Sequence, residues 1–61
     1  MDMEQHDHLI RDVQAAALLD VSVTTFRRYV REGLMPEPHR LGGRTRWLVS
    51  EVVDALRRLP R

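Results

Sequence analysis

The side chains best suited to chemistry in this 61-residue chain are arginines, and three of them fall within residues 22–32. At about 100° per residue, a helix over this stretch puts polar and cationic side chains on one arc, namely Thr24, Arg27, Arg28 and Arg31. The opposite arc is apolar and aromatic, with Phe26, Tyr29 and Val30. Guanidinium groups donate to phosphate oxygens and to guanine edges. The pattern predicts a recognition helix, although an ordinary solvated charged face has the same spacing.

A second arginine group surrounds a pair of glycines. Residues 39–41 and 45–48 flank Gly42, Gly43 and Arg44, and two short extended runs around Gly-Gly predict a β-hairpin, which we call the wing. Arg40, Arg44 and Arg46 lie in or beside it, and the glycines would allow its backbone to approach a minor groove or flanking phosphates. A charged hairpin alone would be ordinary, but two arginine groups in one small domain favour a nucleic-acid partner.

Helix signals predict how the first group is positioned. Asp12 is predicted to cap a short, mostly apolar helix over residues 13–19, and Asp20 with Val21 to form a tight turn. Ser22 then caps the second helix, which runs over about residues 23–32 and stops at Gly33. In the first helix, the core-facing positions at helical spacing are predicted to be Val13, Ala16 and Leu19.

The remaining segments are predicted to complete the core. Leu9 and Ile10 either pack on the first helix or form a short edge strand. After Gly33, Leu34 and Met35 are expected to be buried, and Pro36 with Pro38 makes a stiff extended connector.

Trp47 is predicted to lie in the core with its indole N–H near the surface. Ser50 is predicted to cap a third helix over about residues 51–59, with Val52, Val53, Leu56 and Leu59 on one side. The arginines at its end, Arg57, Arg58 and Arg61, suit the negative helix terminus and are more simply solvated than bound to phosphate.

Composition limits the classes of function. A single domain of this size buries only roughly 60% of its unfolded surface, so a large catalytic cleft is not expected. The chain has no cysteine for a disulfide or thiolate metal site, and no apolar run approaches the roughly 20 residues that span a bilayer. Residues 1–20 carry a net charge of −4 and residues 21–48 a net charge of +4, so the net charge of +1 conceals a local positive patch.

The first eight residues are acidic and lack periodicity, which predicts a disordered leader before a single domain over residues 9–61. His6 and His8 flank Asp7, but the only other histidine is His39 and nothing completes a tetrahedral set. No metal and no other cofactor is therefore expected. An enzyme is the least expected class, because the sequence has no Ser-His-Asp set, phosphate loop or paired buried carboxylates.

Together these motifs resemble the excisionase and AlpA-like family of small winged-helix DNA-binding proteins, which is related to MerR-type headpieces. The resemblance covers roughly residues 9–59. It is carried by AALLDVS at 16–22, TFRRYVREG at 25–33, PEP at 36–38, LGGR at 41–44 and WLVSEV at 47–52. Asp20 stands where such proteins often have a turn glycine, and aspartate tolerates turn conformations.

The resemblance implies a mainly α fold with a small β-hairpin, a winged helix-turn-helix of three short helices and a two-stranded wing. It implies that the second helix enters the major groove of duplex DNA and that the wing reaches the adjacent minor groove. The predicted DNA-binding residues of the recognition helix are Ser22, Thr24, Thr25, Arg27, Arg28 and Arg31. Those of the wing are Arg40, Gly42, Gly43, Arg44 and Arg46.

By the same resemblance, the protein is expected to be a phage excisionase that bends attachment-site DNA for an integrase, with cooperative self-association on DNA, in the bacterial cytoplasm. A small prophage-type transcription regulator would use the same surface at an operator, and a phage DNA-packaging adaptor is a minor alternative. From another class, the arginines could dock an acidic protein. The pairing of a helix with a wing, each suited to a groove, favours DNA.

Overall fold

The computed structural model describes residues 8–60, which measure 35 × 27 × 18 Å along the principal axes. Three helices and three strands follow the order β1, α1, α2, β2, β3, α3. Their bounds are β1 Leu9–Ile10, α1 Asp12–Leu19, α2 Val23–Arg31, β2 His39–Leu41, β3 Arg44–Leu48 and α3 Val49–Arg57. The predicted winged helix-turn-helix is confirmed. No helix among the described residues is long and apolar enough to cross a membrane.

The strands form one antiparallel sheet in the order β1-β3-β2. The wing is β2 and β3, joined by a two-residue turn at Gly42 and Gly43, so Arg44 is the first residue of β3 and not part of the turn. Of the two alternatives for Leu9 and Ile10, the edge strand is correct, because Ile10 pairs with Trp47 and Leu9 with Leu48. The predicted two-stranded wing thus belongs to a three-stranded sheet.

The start of α1 differs from the prediction by one residue. Arg11, with φ −88° and ψ 168°, is the N-cap, and its backbone N–H donates to Gln14 Oε1 at 2.9 Å. The predicted cap, Asp12, is already helical, and its carboxylate is used elsewhere. At the other end Asp20 adopts a left-handed conformation with φ 60°, and its N–H bonds back to the last turn of the helix. Asp20 therefore makes the turn in place of a glycine.

Helix α2 forms as the sequence predicts. Ser22 is extended, with ψ 160°, and its Oγ accepts from the Thr25 backbone N–H at 3.1 Å. The helix ends where Gly33 takes φ 79°, and the Leu34 N–H returns to the Tyr29 carbonyl at 2.9 Å. Both ends are thus satisfied locally, which is why capping residues were sufficient to locate them.

Helix α3 begins earlier than predicted, and Ser50 is not its cap. The N-cap is Leu48, the last residue of β3, so strand and helix join without a loop. The Val49 N–H donates at 2.9 Å to the carbonyl of His8, which precedes β1. The hydrogen bonding between the β1 segment and β3 therefore continues to Val49, the first residue of α3. The predicted leader lies outside the described residues apart from His8.

The core lies where α1, α2, α3 and β3 meet. Phe26 and Val52 are the largest fully buried side chains, and the other buried side chains are Ile10, Ala15, Ala16, Met35 and Trp47. The prediction for Val13 is wrong, because it is 57% exposed and Ala15 occupies the interior instead. Two consecutive small residues inside α1 allow α2 to pack closely against it. Leu34, predicted to be buried, is only half-buried.

Phe26 and Trp47 join the recognition helix to the wing. Their rings meet edge to face, with centroids 5.0 Å apart and planes at 77°. Such pairs contribute about 0.5–1.5 kcal/mol beyond the area that they bury. The Trp47 indole N–H also donates to the Pro36 carbonyl at 2.8 Å, which ties the proline connector to the core.

Candidate nucleic-acid interface

The N-terminal end of α2 carries three of the predicted DNA-binding residues. The Ser22 hydroxyl caps the helix and lies 3.1 Å from the Thr25 hydroxyl, so these two side chains stabilise the helix start. Ser22 and Thr24 are exposed, whereas Thr25 is half-buried. Both exposed side chains therefore lie at the solvent-facing start of the second helix of the helix-turn-helix.

The predicted division of α2 into two faces is confirmed. Phe26 is fully buried and Tyr29 and Val30 pack against the core. Thr24, Arg27, Arg28 and Arg31 are exposed. The core therefore fixes the helix in rotation and leaves its cationic face to solvent.

The arginines of α2 differ in their partners. Arg28 lies 3.7 Å from Glu32 one turn later and 5.7 Å from the centre of the Tyr29 ring. An exposed pair of this kind is worth only about 0.3–0.5 kcal/mol, so a phosphate could replace it at small cost. Within residues 8–60, no carboxylate forms an ion pair with Arg31. Arg31 is thus the α2 arginine with the fewest competing contacts.

Arg27 is held by Asp12 across the helix-turn-helix. Its Nε lies 3.0 Å from Asp12 Oδ2, and its Nη2 also contacts that oxygen. The Arg27 side chain is 63% exposed and the Asp12 side chain 18%. The hydrogen bond from Arg27 is the main cause that lowers the pKa of Asp12, and the Val13 backbone N–H adds to it. The carboxylate is therefore charged at neutral pH.

The wing turn is open. Gly42 and Gly43 have φ values of 56° and 83°, the conformation of a type I′ hairpin turn. Apart from the glycine itself and its two chain neighbours, no atom of the described chain lies within 4 Å of where a Cβ would stand on either glycine. These glycines are therefore required by the left-handed backbone of the turn and not by internal crowding, and the tip is accessible to a partner.

The structure separates the three wing arginines. Residues that lie opposite each other on two antiparallel strands have side chains on the same face of the sheet. Arg40 lies opposite Thr45. Arg44 lies opposite Leu41, and Arg46 lies opposite His39. Arg44 and Arg46 therefore lie on one face, and Arg40 on the face that carries Trp47. Arg40 and Arg44 are exposed, while Arg46 is half-buried and donates from Nη1 to the Thr45 carbonyl at 2.8 Å. The pairing register of β2 and β3 determines which arginines share a face, and the composition of the wing did not predict that register.

Sequence reasoning missed the contact that attaches the wing to α3. His39 Nε2 in β2 lies 3.0 Å from Glu51 Oε1 in α3. Because an ionised carboxylate can only accept, His39 is the donor. The two residues are twelve positions apart in the sequence and share no periodicity, so the sequence contains no signal for this pair.

The C-terminal arginines lie apart from both groups along the chain. Arg57 is exposed in the last turn of α3, and Arg58 lies 3.7 Å from Asp54 one turn earlier. Arg61 is outside the described residues. His6, considered for a metal site, is also outside them, and residues 8–60 contain no group of three or more His, Asp or Glu side chains that could hold a metal ion.

Comparison with known proteins identifies the family. Residues 13–47, more than half of the chain, match the model of the MerR family regulatory proteins. The matched segment runs from α1 through both helices of the helix-turn-helix to Trp47 in the wing. No significant match was found among curated proteins or among solved structures.

The family match supports the MerR-related part of the predicted resemblance and a regulatory, DNA-binding role, while the excisionase and AlpA-like identity stays a prediction. The chain belongs to the MerR family of regulatory proteins, and residues 13–47 carry its helix-turn-helix DNA-binding domain.

Proposed function

We propose that this protein binds duplex DNA in a sequence-specific manner, with α2 in the major groove and the wing against the adjacent minor groove and its phosphates. The observation that carries this proposal is the rotation of α2, in which Phe26 is fully buried while Arg27, Arg28 and Arg31 are exposed. The major groove is about 12 Å wide and accepts one α-helix. The described domain is 35 Å long, about one turn of duplex, so both elements are within the span of neighbouring grooves.

The residues of α2 are proposed to divide between bases and backbone. Arg27 and Arg31 are assigned to base edges, where a guanidinium can donate two hydrogen bonds to one guanine. Arg28, partly neutralised by Glu32, is assigned to phosphate. Ser22, Thr24 and Thr25 lie at the helix start, where a partial positive charge also favours a phosphate.

The wing is proposed to follow the backbone. Arg40 and Arg44 lie on opposite faces of the hairpin, so a wing inserted along a groove would direct one arginine to each strand. Gly42 and Gly43 allow the turn to approach closely, and Arg46, bonded to the Thr45 carbonyl, is assigned to support of this strand as well as to phosphate. Contacts of this kind fix register and carry little sequence information.

The family match favours action as a transcription regulator at an operator. The resemblance to excisionases supports a second use of the same surface, in which adjacent copies bend attachment-site DNA for a phage integrase. Arginines in two grooves can offset the energy of bending, so bending and cooperative self-association are part of this second proposal.

A circular-permutation assay separates the two uses. An excisionase is expected to give complexes whose gel mobility depends on the position of the site within the fragment, and to bind adjacent sites cooperatively. A regulator that binds its operator without bending it would give one mobility at all positions. Position-independent mobility together with independent site occupancy would remove the excisionase role and leave duplex binding intact.

For α2, Arg27→Ala is expected to weaken specific duplex binding by about 1–3 kcal/mol and to relax the preference at one base pair, because a base-reading guanidinium is lost. The measurement is a gel shift with a duplex enriched from a random pool by the unmodified protein. Arg57→Ala is the matched control, since it removes the same charge from an exposed position on α3. Equal specific affinity of Arg27→Ala and the unmodified protein would exclude Arg27 from base recognition.

For the wing, Arg44→Ala is expected to lower affinity for all duplexes alike and to reduce the slope of log affinity against log salt by about 0.9, the value for one phosphate contact. Titrations of enriched and unselected duplexes over a range of salt concentrations measure both quantities, again beside Arg57→Ala. An effect confined to a single base pair, with the salt slope unchanged, would contradict the assignment of Arg44 to the backbone.

A further inference from the structure

Asp12 is the only acidic residue in the described chain whose carboxylate reaches from one helix of the helix-turn-helix to the other. Its two oxygens have separate roles. Oδ1 accepts from the Val13 backbone N–H at 2.8 Å, and Oδ2 accepts from Arg27 Nε at 3.0 Å and from Nη2. The backbone of α1 therefore sets the direction of Oδ2, and Oδ2 in turn sets the plane of the Arg27 guanidinium.

The bond to Asp12 uses only one edge of the guanidinium. An arginine has five N–H groups, and the edge formed by Nε and Nη2 is occupied by Oδ2. One hydrogen of Nη1 and the remaining hydrogen of Nη2 point in the same direction and form the other usable edge. That edge is the fork that donates to O6 and N7 of one guanine. With 63% of its side chain exposed, Arg27 can be bonded to Asp12 and to a base at the same time.

Fixing the guanidinium before binding has an energetic consequence. A free arginine side chain carries about 2 kcal/mol of rotamer entropy, part of which is lost on binding. If Asp12 already orders the Arg27 side chain in the free protein, less rotamer entropy is lost when that side chain binds the correct base. The same carboxylate is a negative charge near a polyanion and disfavours binding to every duplex, so only a duplex that makes the base contact recovers this cost.

We propose that Asp12 is a positioning residue that determines specificity, by holding Arg27 so that its outer edge reads a guanine while its own charge weakens binding to other sequences. This proposal rests on the proposed function of α2. The lowered pKa of Asp12 agrees with this proposal. At pH values above the ordinary aspartate pKa the carboxylate is charged and stabilises the bond to Arg27, and this stabilisation is lost only when the pH falls below the lowered pKa of Asp12.

The alternative is that Asp12 acts only as a charge at the start of α1. Asp12→Asn and Asp20→Asn distinguish the two, because each removes one negative charge from the helix-turn-helix at nearly constant size. The amide introduced by Asp12→Asn would turn either a donor or an uncharged oxygen toward Arg27. Asparagine is well tolerated in the left-handed conformation of Asp20, and Asp20 makes no ion pair with another described residue.

The test begins with the free protein. In side-chain NMR spectra, Asp12→Asn is expected to shift the Arg27 Nε–H signal and to speed its exchange with water, and Asp20→Asn to leave it unchanged. Circular dichroism of both variants establishes that they are folded. Affinities are then measured for a duplex enriched from a random pool by the unmodified protein and for each of its single-base-pair variants, with Asp12→Asn made alone and together with Arg27→Ala.

The expected result is a loss of about tenfold in discrimination at one base pair, the same pair at which Arg27→Ala loses it. Affinity for unselected duplex should not fall, and Asp12→Asn should have no further effect on discrimination once Arg27 is absent. Asp20→Asn should change all affinities by the same factor.

Two results would overturn the role of Asp12 and leave the proposed function standing. One is an equal change for every duplex, as expected of Asp20→Asn. The other is an equal loss of discrimination at all base pairs, which would mean a general shift of α1 against α2. If no duplex is enriched, or if Arg27→Ala alters no position, the proposed function of α2 fails and the inference fails with it.

Discussion

The edge-to-face contact between Phe26 and Trp47 is the interaction on which the arrangement of this domain depends. It joins the apolar face of α2 to β3, and both rings are almost completely buried. The Trp47 indole adds a hydrogen bond to the Pro36 carbonyl, which fixes the connector that leads from α2 to the wing. The two elements that carry most of the arginines are therefore oriented by one aromatic pair, and the rotation of α2 follows from the burial of Phe26.

The described core contains no buried polar or charged side chain, and each described arginine is exposed or, in the case of Arg46, half-buried. The ion pairs that carboxylates form with these arginines are exposed or partly exposed, as in the pair of Arg28 and Glu32. A domain this small has little stability to lose, and an apolar core avoids the cost of burying charge. Asp12 and Arg27 differ from the other pairs because they link two helices, so this ion pair can order a side chain that is proposed to contact DNA.

Local signals in the sequence predicted most of the fold. Ser22 and Gly33 bounded α2, Gly42 and Gly43 defined the hairpin, and the extended run over residues 45–48 placed a strand before the third helix. The errors arose at positions where a contact with a residue distant in the sequence determines the local structure. Asp12 has the chemistry of a cap but bonds to Arg27, and Ser50 follows the true helix start because β3 runs directly into α3. The sequence made no prediction of the wing register, which puts Arg40 on the opposite face from Arg44.

We propose that α2 and the wing contact one duplex together. The most direct test of this proposal is amide chemical-shift perturbation, measured while isotope-labelled protein is titrated with a duplex enriched from a random pool. If α2 and the wing bind together, the shifts are expected to cluster at residues 22–31 and 40–46 and to saturate at the same DNA concentration. Shifts concentrated in α3, or saturation of the wing without α2, would contradict it.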